Sequence, residues 1–254
     1  MAMQHNTLLY HFFFDPLAHG IACMMVAYLV APAQFIKVVH QETGESYASI
    51  INRCIHSRNI KLFFSGAHIY AFRQVIAALS FGLSQWLFLC SINYYPITYF
   101  TLLVSWECFL AGIVETIVTV YSETKEIAAN KGPFMKRKER IMDIFTPVLL
   151  RNILSASPCI LAYAFTKDIN GIGINIMVNT LLGIAASALT MPFDLIATQN
   201  CGAEVRMTWI GRLKHNITVE KKFFAIFNGL TMRILQIVPY SIAHGLVMIF
   251  LGKF

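Results

Sequence analysis

The chain has 254 residues, of which 57% are hydrophobic and only 13% are charged, with a formal net charge of +7 and a mean hydropathy of +0.60. A soluble domain normally carries about 25% charged residues, so this composition excludes an ordinary soluble domain and predicts a membrane protein. The six cysteines are spaced singly without a CxxC pair, which indicates neither a disulfide framework nor a metal site, and no cofactor is expected.

Six apolar segments follow one another along the chain, and each is long enough for a helix to cross the hydrocarbon core, which takes about 20 residues. They are 8–39, 62–92, 96–124, 145–166, 172–200 and 223–251. Small and polar residues recur within them, as expected for helices packed around a polar interior. Pro32 and Pro192 are predicted to bend the first and fifth helices near their ends. The expected fold is an all-α membrane protein with six transmembrane helices.

The basic residues are concentrated in three windows, 37–61, 125–151 and 206–222, which hold sixteen of the twenty lysines and arginines. Basic residues collect on the side of a bilayer from which translocation is resisted. Three windows on one side predict an even number of spans with both termini on the other side. Apolar segments flank every window, which argues against nucleic-acid binding.

Two short amphipathic stretches within the basic windows, 46–57 and 207–217, are predicted to be helices on the membrane surface. The N-terminal sequence MAMQHNTLLYHFFFDP lacks the basic start, apolar middle and cleavage site of a secretory signal peptide. We therefore expect a protein that stays inside the cell or enters an organelle on internal signals.

A recurring pattern divides the single domain, residues 1–254, into three repeats, 8–92, 96–168 and 172–254. Equivalent places in the three odd-numbered segments are held by Pro32, Tyr121 and Pro192. The positions two residues later are held by Gln34, Glu123 and Asp194, and those five residues later by Lys37, Glu126 and Ala197.

The even-numbered segments repeat as well. Gly66 and Gly229 begin similar stretches, and seven residues after them stand Arg73 and Gln236. Arg233 lies one turn before Gln236. Aligning Pro158 with Pro239 places Ser155, followed by Ala156, at the equivalent position of the fourth segment.

These repeats resemble the mitochondrial carrier family, in which each repeat has a Pro-x-acid-x-x-base motif near the end of its odd helix and an aromatic-base-Gly step opening its even helix. The third repeat is the best match, with PFD (192–194) and FNG (227–229). The first repeat has PAQFIKVVHQ (32–41) and FSG (64–66), with Gln34 in the place of the acid. The second repeat has Tyr121 for the proline and Glu126 for the base. The resemblance covers essentially the whole chain.

The resemblance implies a gate at the matrix ends of the odd helices, where the acid of one repeat pairs with the base of the next. Asp194 is then expected to pair with Lys37, with Gln41 beside them. Gln34 would face Glu126, and Glu123 would face Ala197, so a gate with one ionic bridge is expected. The acid-containing motif that forms the family's second network, at the opposite mouth, is not found in the sequence. We therefore expect exchange to be loosely coupled, with net uniport competing with antiport.

The resemblance also implies the substrate contacts, which the family carries on its even helices. By position they are Arg73, Ser155 with Ala156, and Gln236, with Arg233 one turn away. A buried arginine meets an anion or a carboxylate, so a small anionic solute is expected, with ATP/ADP or another nucleotide as the first choice and keto acids, phosphate or amino acids as alternatives. A structural bridge from Arg73 to Glu115 also remains open.

The resemblance further implies a monomer in the mitochondrial inner membrane, with both termini toward the intermembrane space and lipids such as cardiolipin at the matrix-side loops. A host's mitochondria and a reduced mitochondrion-like organelle are both compatible with the sequence. An enzyme is not expected, whereas a carrier-shaped scaffold that does not transport remains an alternative. Glu107 and Glu115 could couple protons, whereas His19, His68 and His244 are expected to be hydrogen-bonded interior histidines rather than a proton relay.

Overall fold

The computed structural model describes residues 13–94, 100–166, 171–219 and 223–251, and in these ranges the ordered elements are all helical. Eight α-helices occur there: α1 (Asp15–Thr43), α2 (Tyr47–His56), α3 (Ala67–Tyr94), α4 (Phe100–Lys131), α5 (Ile141–Thr166), α6 (Ile172–Asn200), α7 (Trp209–Thr218) and α8 (Leu230–Phe250). Short 3-10 turns lie at Ile60–Phe64, Gly132–Phe134 and Phe223–Phe227. Both termini, the start of the first predicted segment and residues 167–168 of the second repeat lie outside the described residues.

The six long helices form a closed ring in chain order. Each of α3, α4, α5 and α6 packs against the long helices that precede and follow it, and α8 packs against both α6 and α1. Helix α1 also contacts α4 and α6. The helices α1, α4 and α6 finish at the same end of the ring at which α3, α5 and α8 begin. We call this the basic end, because the three basic windows of the sequence connect the helices there.

The ring carries apolar side chains outside and polar side chains inside. Large apolar residues face outward, for example Leu29 at 77% exposure, Ile117 at 64% and Leu181 at 59%, while many charged and amide side chains are buried. In a soluble protein charged residues are rarely fully buried. Three described stretches, Asp15–Thr43, Ile60–Ser84 and Ile172–Asn200, are long and apolar enough to cross a membrane. These features agree with a membrane protein.

Close helix packing is clearest between α4 and α5. A Cβ atom on Gly112 would lie only 2.6 Å from the Cα of Ile153, so only glycine permits this approach. Pro32 and Pro192 lie within α1 and α6, and each helix continues beyond its proline to the basic end.

The two amphipathic stretches are helical, as predicted, and form α2 and α7. Ser46 caps α2 by accepting a hydrogen bond from the Ser49 amide at 3.2 Å, and Thr208 caps α7 by accepting one from the Gly211 amide at 3.1 Å. Such caps satisfy amide groups that have no partner within the helix. Helix α2 follows α1 in the first repeat, and α7 follows α6 in the third repeat.

Candidate functional site: a buried charge network

A network of buried charged side chains joins the helices near the basic end. Its members lie about one to three turns from the helix ends there. Lys37 and Asp194 stand about two turns before the ends of α1 and α6, and Arg73 stands about two turns after the start of α3. Because the helices alternate in direction, residues near the ends of some helices meet residues near the starts of others.

The first contact of the network links α1 to α6. The Lys37 Nζ donates to the Asp194 Oδ2 at 2.6 Å, and the two side chains are 2% and 11% exposed. One turn earlier, the Gln34 Nε2 donates to the Glu126 Oε1 of α4, also at 2.6 Å. Both contacts join positions that the family resemblance pairs.

Glu123, by contrast, is not left without a cation, although its predicted counterpart Ala197 cannot pair with it. The Arg73 Nη1 lies 2.7 Å from its Oε2, and the Arg151 Nη2 donates to the same oxygen at 2.7 Å. Arg151 also donates through Nη1 to the other oxygen of Glu123 and to the Asp194 Oδ1 at 3.1 Å.

The expectation of a single ionic bridge is therefore wrong, because additional bases come from α3 and α5, the helices of the second and fourth apolar segments. The alternative pairing of Arg73 with Glu115 is also corrected. Besides Glu123, Arg73 pairs with Glu126 through Nη2 and Oε2 at 2.9 Å. The long guanidinium side chain reaches across the helix interface, which spacing along α4 alone cannot indicate.

The network contains equal numbers of positive and negative side chains. Its cations are Lys37, Arg73 and Arg151, and its anions are Glu123, Glu126 and Asp194; none of these side chains is more than 11% exposed. A buried charge is strongly unfavourable unless it is paired and hydrogen-bonded. Formal neutrality therefore makes it possible for six ionised groups to be buried together.

The last long helix joins the network through an amide. The Gln236 Nε2 of α8 donates to the Gln34 Oε1 at 3.3 Å, and Gln236 is only 1% exposed. Arg151 is supported on its own helix by Asn152, whose Oδ1 accepts from Nε at 3.1 Å and from Nη2 at 2.9 Å. All six long helices thus contribute a side chain at this level.

A second layer lies closer to the basic end. The buried Lys131 at the end of α4 pairs with Glu42 at 2.9 Å and donates to the carbonyl oxygen of Cys201 at 2.6 Å. Gln41 donates to the carbonyl oxygen of Asn228 at 3.1 Å and accepts from the Thr198 hydroxyl at 2.8 Å. These bonds connect α1 to α4, α6 and the segment preceding α8.

The glycine of the FNG motif fits directly against this layer. Gly229 has φ +92°, and a Cβ atom there would lie 2.8 Å from the Lys37 Cγ. Gly66 of the FSG motif has φ +74° and packs against Glu126 of α4 in the same manner, with a Cβ distance of 3.2 Å to the carbonyl oxygen. Gly66 therefore begins α3 in close contact with α4, and Gly229 begins α8 in close contact with α1. In both cases the contacted helix is the first long helix of the next repeat.

The predicted substrate residues lie in different surroundings. Arg73 belongs to the network, and Gln236 borders it. The Ser155 hydroxyl donates to the Asn152 carbonyl oxygen at 3.0 Å, and Ala156 packs in an apolar cluster with Cys108. In the described part of the chain, no hydrogen bond joins Ser155 or Ala156 to a charged side chain of the network.

Arg233 differs from the other arginines near the network. It is partly buried, and no ion pair to it is found within the described ranges. It lies one turn before Gln236 on α8.

Two residues important to the network were missed by sequence reasoning. Arg151 was counted in the second basic window, although it also falls inside the fourth apolar segment, 145–166. A base within an apolar segment is the signal that could have identified it. Lys131 gave no comparable signal, because a lysine at a helix end usually interacts with solvent or with the last carbonyl groups.

The histidines lie away from this network and make local contacts. The Nδ1 of His19 is 2.9 Å from the carbonyl oxygen of Asp15, and its ring lies 4.8 Å from that of His244 between centroids. His68 Nδ1 is 2.9 Å from the Tyr28 hydroxyl. These contacts are of the kind that packed histidines make.

No family model matches the chain, and no curated protein matches it.

Proposed function

We propose that this protein is a secondary transporter of the mitochondrial carrier type, which moves a small anionic metabolite across the mitochondrial inner membrane by alternating access. The observation that carries the proposal is the neutral, buried charge network that joins six helices at one end of a closed ring. A purely structural membrane bundle can pack on apolar and small residues. Charged side chains inside a membrane protein are expensive to bury and usually serve transport or signalling.

The network has the properties required of a gate. Its bonds run between helices, so separating the helices at the basic end would break them together. Bonds that exist in one conformation only determine the balance between two conformations. Because the network is neutral overall, opening would expose paired ions to water, where their hydration offsets much of the lost attraction. The described conformation would then be the one closed at the basic end.

The proposed threefold arrangement of six transmembrane helices is supported by equivalent contacts. Asp194 meets Lys37 of the next repeat in cyclic order, and Gln34 meets Glu126 of the next repeat. Gly66 packs against α4, and Gly229 packs against α1. These four contacts, two of each kind, run in the same cyclic sense, which is hard to obtain from an unrelated helical bundle.

The substrate proposed for the first tests is ATP/ADP or another nucleotide, followed by phosphate, keto acids and amino acids. An anion is favoured because Arg233, partly buried beside the network, has no ion-pair partner in the described ranges. The extra bridges from Arg73 and Arg151 strengthen the basic end. The hypothesis of loosely coupled exchange therefore rests only on the opposite mouth, where the sequence lacks the expected acidic motif.

Transport can be tested with purified protein in liposomes containing cardiolipin. Uptake of labelled nucleotide is measured with and without the same nucleotide inside. Carrier function predicts saturable uptake that is lost in Arg73→Ala and retained in Arg53→Ala, whose arginine is 43% exposed on α2. An absolute requirement for internal substrate would contradict loose coupling. Absence of uptake for every anion class would favour the non-transporting scaffold.

A further inference from the structure

Two arginines from different helices converge on one carboxylate in the middle of the network. Arg73 of α3 and Arg151 of α5 both contact the Oε2 of Glu123 at 2.7 Å, and Arg151 also reaches the other oxygen. Glu123 is 3% exposed, and the two arginine side chains are 11% and 10% exposed. Water therefore contributes little to the balance of charge around this carboxylate.

Both guanidinium groups are held in place by further contacts. Asn152 accepts from Arg151 and donates through Nδ2 to the Thr116 hydroxyl of α4 at 3.1 Å. Arg73 is held on its other side by Glu126 at 2.9 Å. An arginine whose fork is already oriented loses little conformational freedom when it binds an oxyanion. The two forks together present more N–H donors than a single carboxylate can accept.

The geometry points to a two-arginine anion site, formed by Arg73 and Arg151, in which Glu123 occupies the place of a substrate phosphate group. This inference rests on the proposed function, because alternating access supplies the conformation in which α4 moves away and the carboxylate leaves. A phosphate group carries up to two negative charges and more acceptor oxygens than a carboxylate, and it therefore matches two guanidinium forks better.

The arrangement links binding to opening of the gate. Glu123 and the phosphate group would compete for the same two arginines, so bound anion favours the conformation in which Glu123 has left. A ligand shifts a conformational equilibrium only through such a difference in its affinity for the two states. Glu123 would therefore act as an internal competitor that closes the basic end when no substrate is bound.

Removal of the competitor gives a direct test by binding. Wild type and Glu123→Gln are titrated in detergent with sodium phosphate against sodium chloride at equal ionic strength, and phosphate affinity is obtained from the thermal shift. We expect the apparent Kd for phosphate to fall about tenfold in Glu123→Gln, because the fraction of protein with vacant arginines rises. The gain should disappear in the double variant Glu123→Gln/Arg151→Gln.

Glu42→Gln is the matched control. It removes one negative charge from the layer closer to the basic end, where Glu42 pairs with Lys131 at 2.9 Å, and it leaves both arginines on Glu123, so its phosphate affinity should stay within about threefold of wild type. Equal gains in Glu123→Gln and Glu42→Gln would overturn the inference, because they would indicate a general charge effect. No gain in Glu123→Gln would overturn it as well.

A second variant guards against misfolding. If Glu123→Gln does not fold, Glu123→Asp keeps the charge but is too short to contact both arginines fully, and a smaller gain of about threefold is expected. The binding result is independent of the transport result. Uptake in liposomes without a gain in phosphate affinity rejects only the anion site, whereas a gain without uptake rejects only the transporter.

Discussion

The contact between Lys37 and Asp194 predicts unequal effects for two variants of similar size. Asp194→Asn removes the carboxylate bonded to Lys37, whose side chain is only 2% exposed. Lys37→Gln leaves Asp194 with Arg151 at 3.1 Å. Breaking a buried ion pair by removing one partner costs about 3–5 kcal/mol, which we expect for Asp194→Asn. For Lys37→Gln we expect about 1–2 kcal/mol, because one cation remains.

Thermal unfolding followed with a thiol-reactive dye measures this difference in detergent. Cys54, Cys108 and Cys201 are 2%, 5% and 0% exposed and lie in separate parts of the fold, so unfolding should make them reactive. Burial also raises the pKa of the Cys54 thiol, which slows its reaction in the folded protein. At about 2–4 °C per kcal/mol, the Tm should fall by roughly 6–20 °C in Asp194→Asn and roughly 2–8 °C in Lys37→Gln.

The double variant completes the test of this pair. If the two side chains act as a unit, the loss in free energy of unfolding in Lys37→Gln/Asp194→Asn should be about 1–3 kcal/mol smaller than the sum of the losses in the two single variants. Equal single effects, or an additive double variant, would refute the reasoning that the pair forms one buried bridge with Arg151 as a secondary partner.

Two glycine substitutions test close packing, each against a matched control. Gly229→Ala should destabilise by about 2–5 kcal/mol from left-handed backbone and steric overlap, whereas Gly44→Ala, with φ +70° but nothing within 4 Å, should cost only about 1–2 kcal/mol. Gly112→Ala should cost about 1–3 kcal/mol or more by separating α4 from α5, whereas Gly173→Ala, also with nothing within 4 Å, should be neutral or stabilising by up to about 1 kcal/mol. The dye assay measures all four, and equal effects within either pair would contradict the packing argument.

Much of the helical arrangement was predictable because hydropathy follows the part of a helix that faces lipid. The segment 172–200 coincides with α6, and the two amphipathic stretches became α2 and α7. The third segment ends differently, since it was predicted to end at residue 124 whereas α4 (Phe100–Lys131) continues for seven more residues. These last turns carry Glu126 and Lys131, which are buried in ion pairs, and hydropathy alone indicates a loop at such charged residues.

The site was predictable only where both partners occupy repeated positions. The family resemblance implied that Lys37 meets Asp194 and that Gln34 meets Glu126, and both pairs are in contact. The partners of Glu123 come from α3 and α5, and their position depends on how neighbouring helices pack and on how far an arginine reaches. Neither the packing of neighbouring helices nor the reach of an arginine side chain can be deduced from the spacing of residues along one helix.

The distribution of charge explains how motifs that look degraded can still form a connected network. Glu126 stands where the family resemblance leads one to expect a base, and Ala197 stands where another base is expected, so the motif alone implies a deficit of positive charge. Arg73 and Arg151 restore the balance from neighbouring helices. Burial requires that the charges be paired and sum to about zero, not that each charge occupy a fixed position in the sequence. The connectivity of the basic end therefore depends on the sum of the charges contributed by all the neighbouring helices, and not on one acid or base at one motif position.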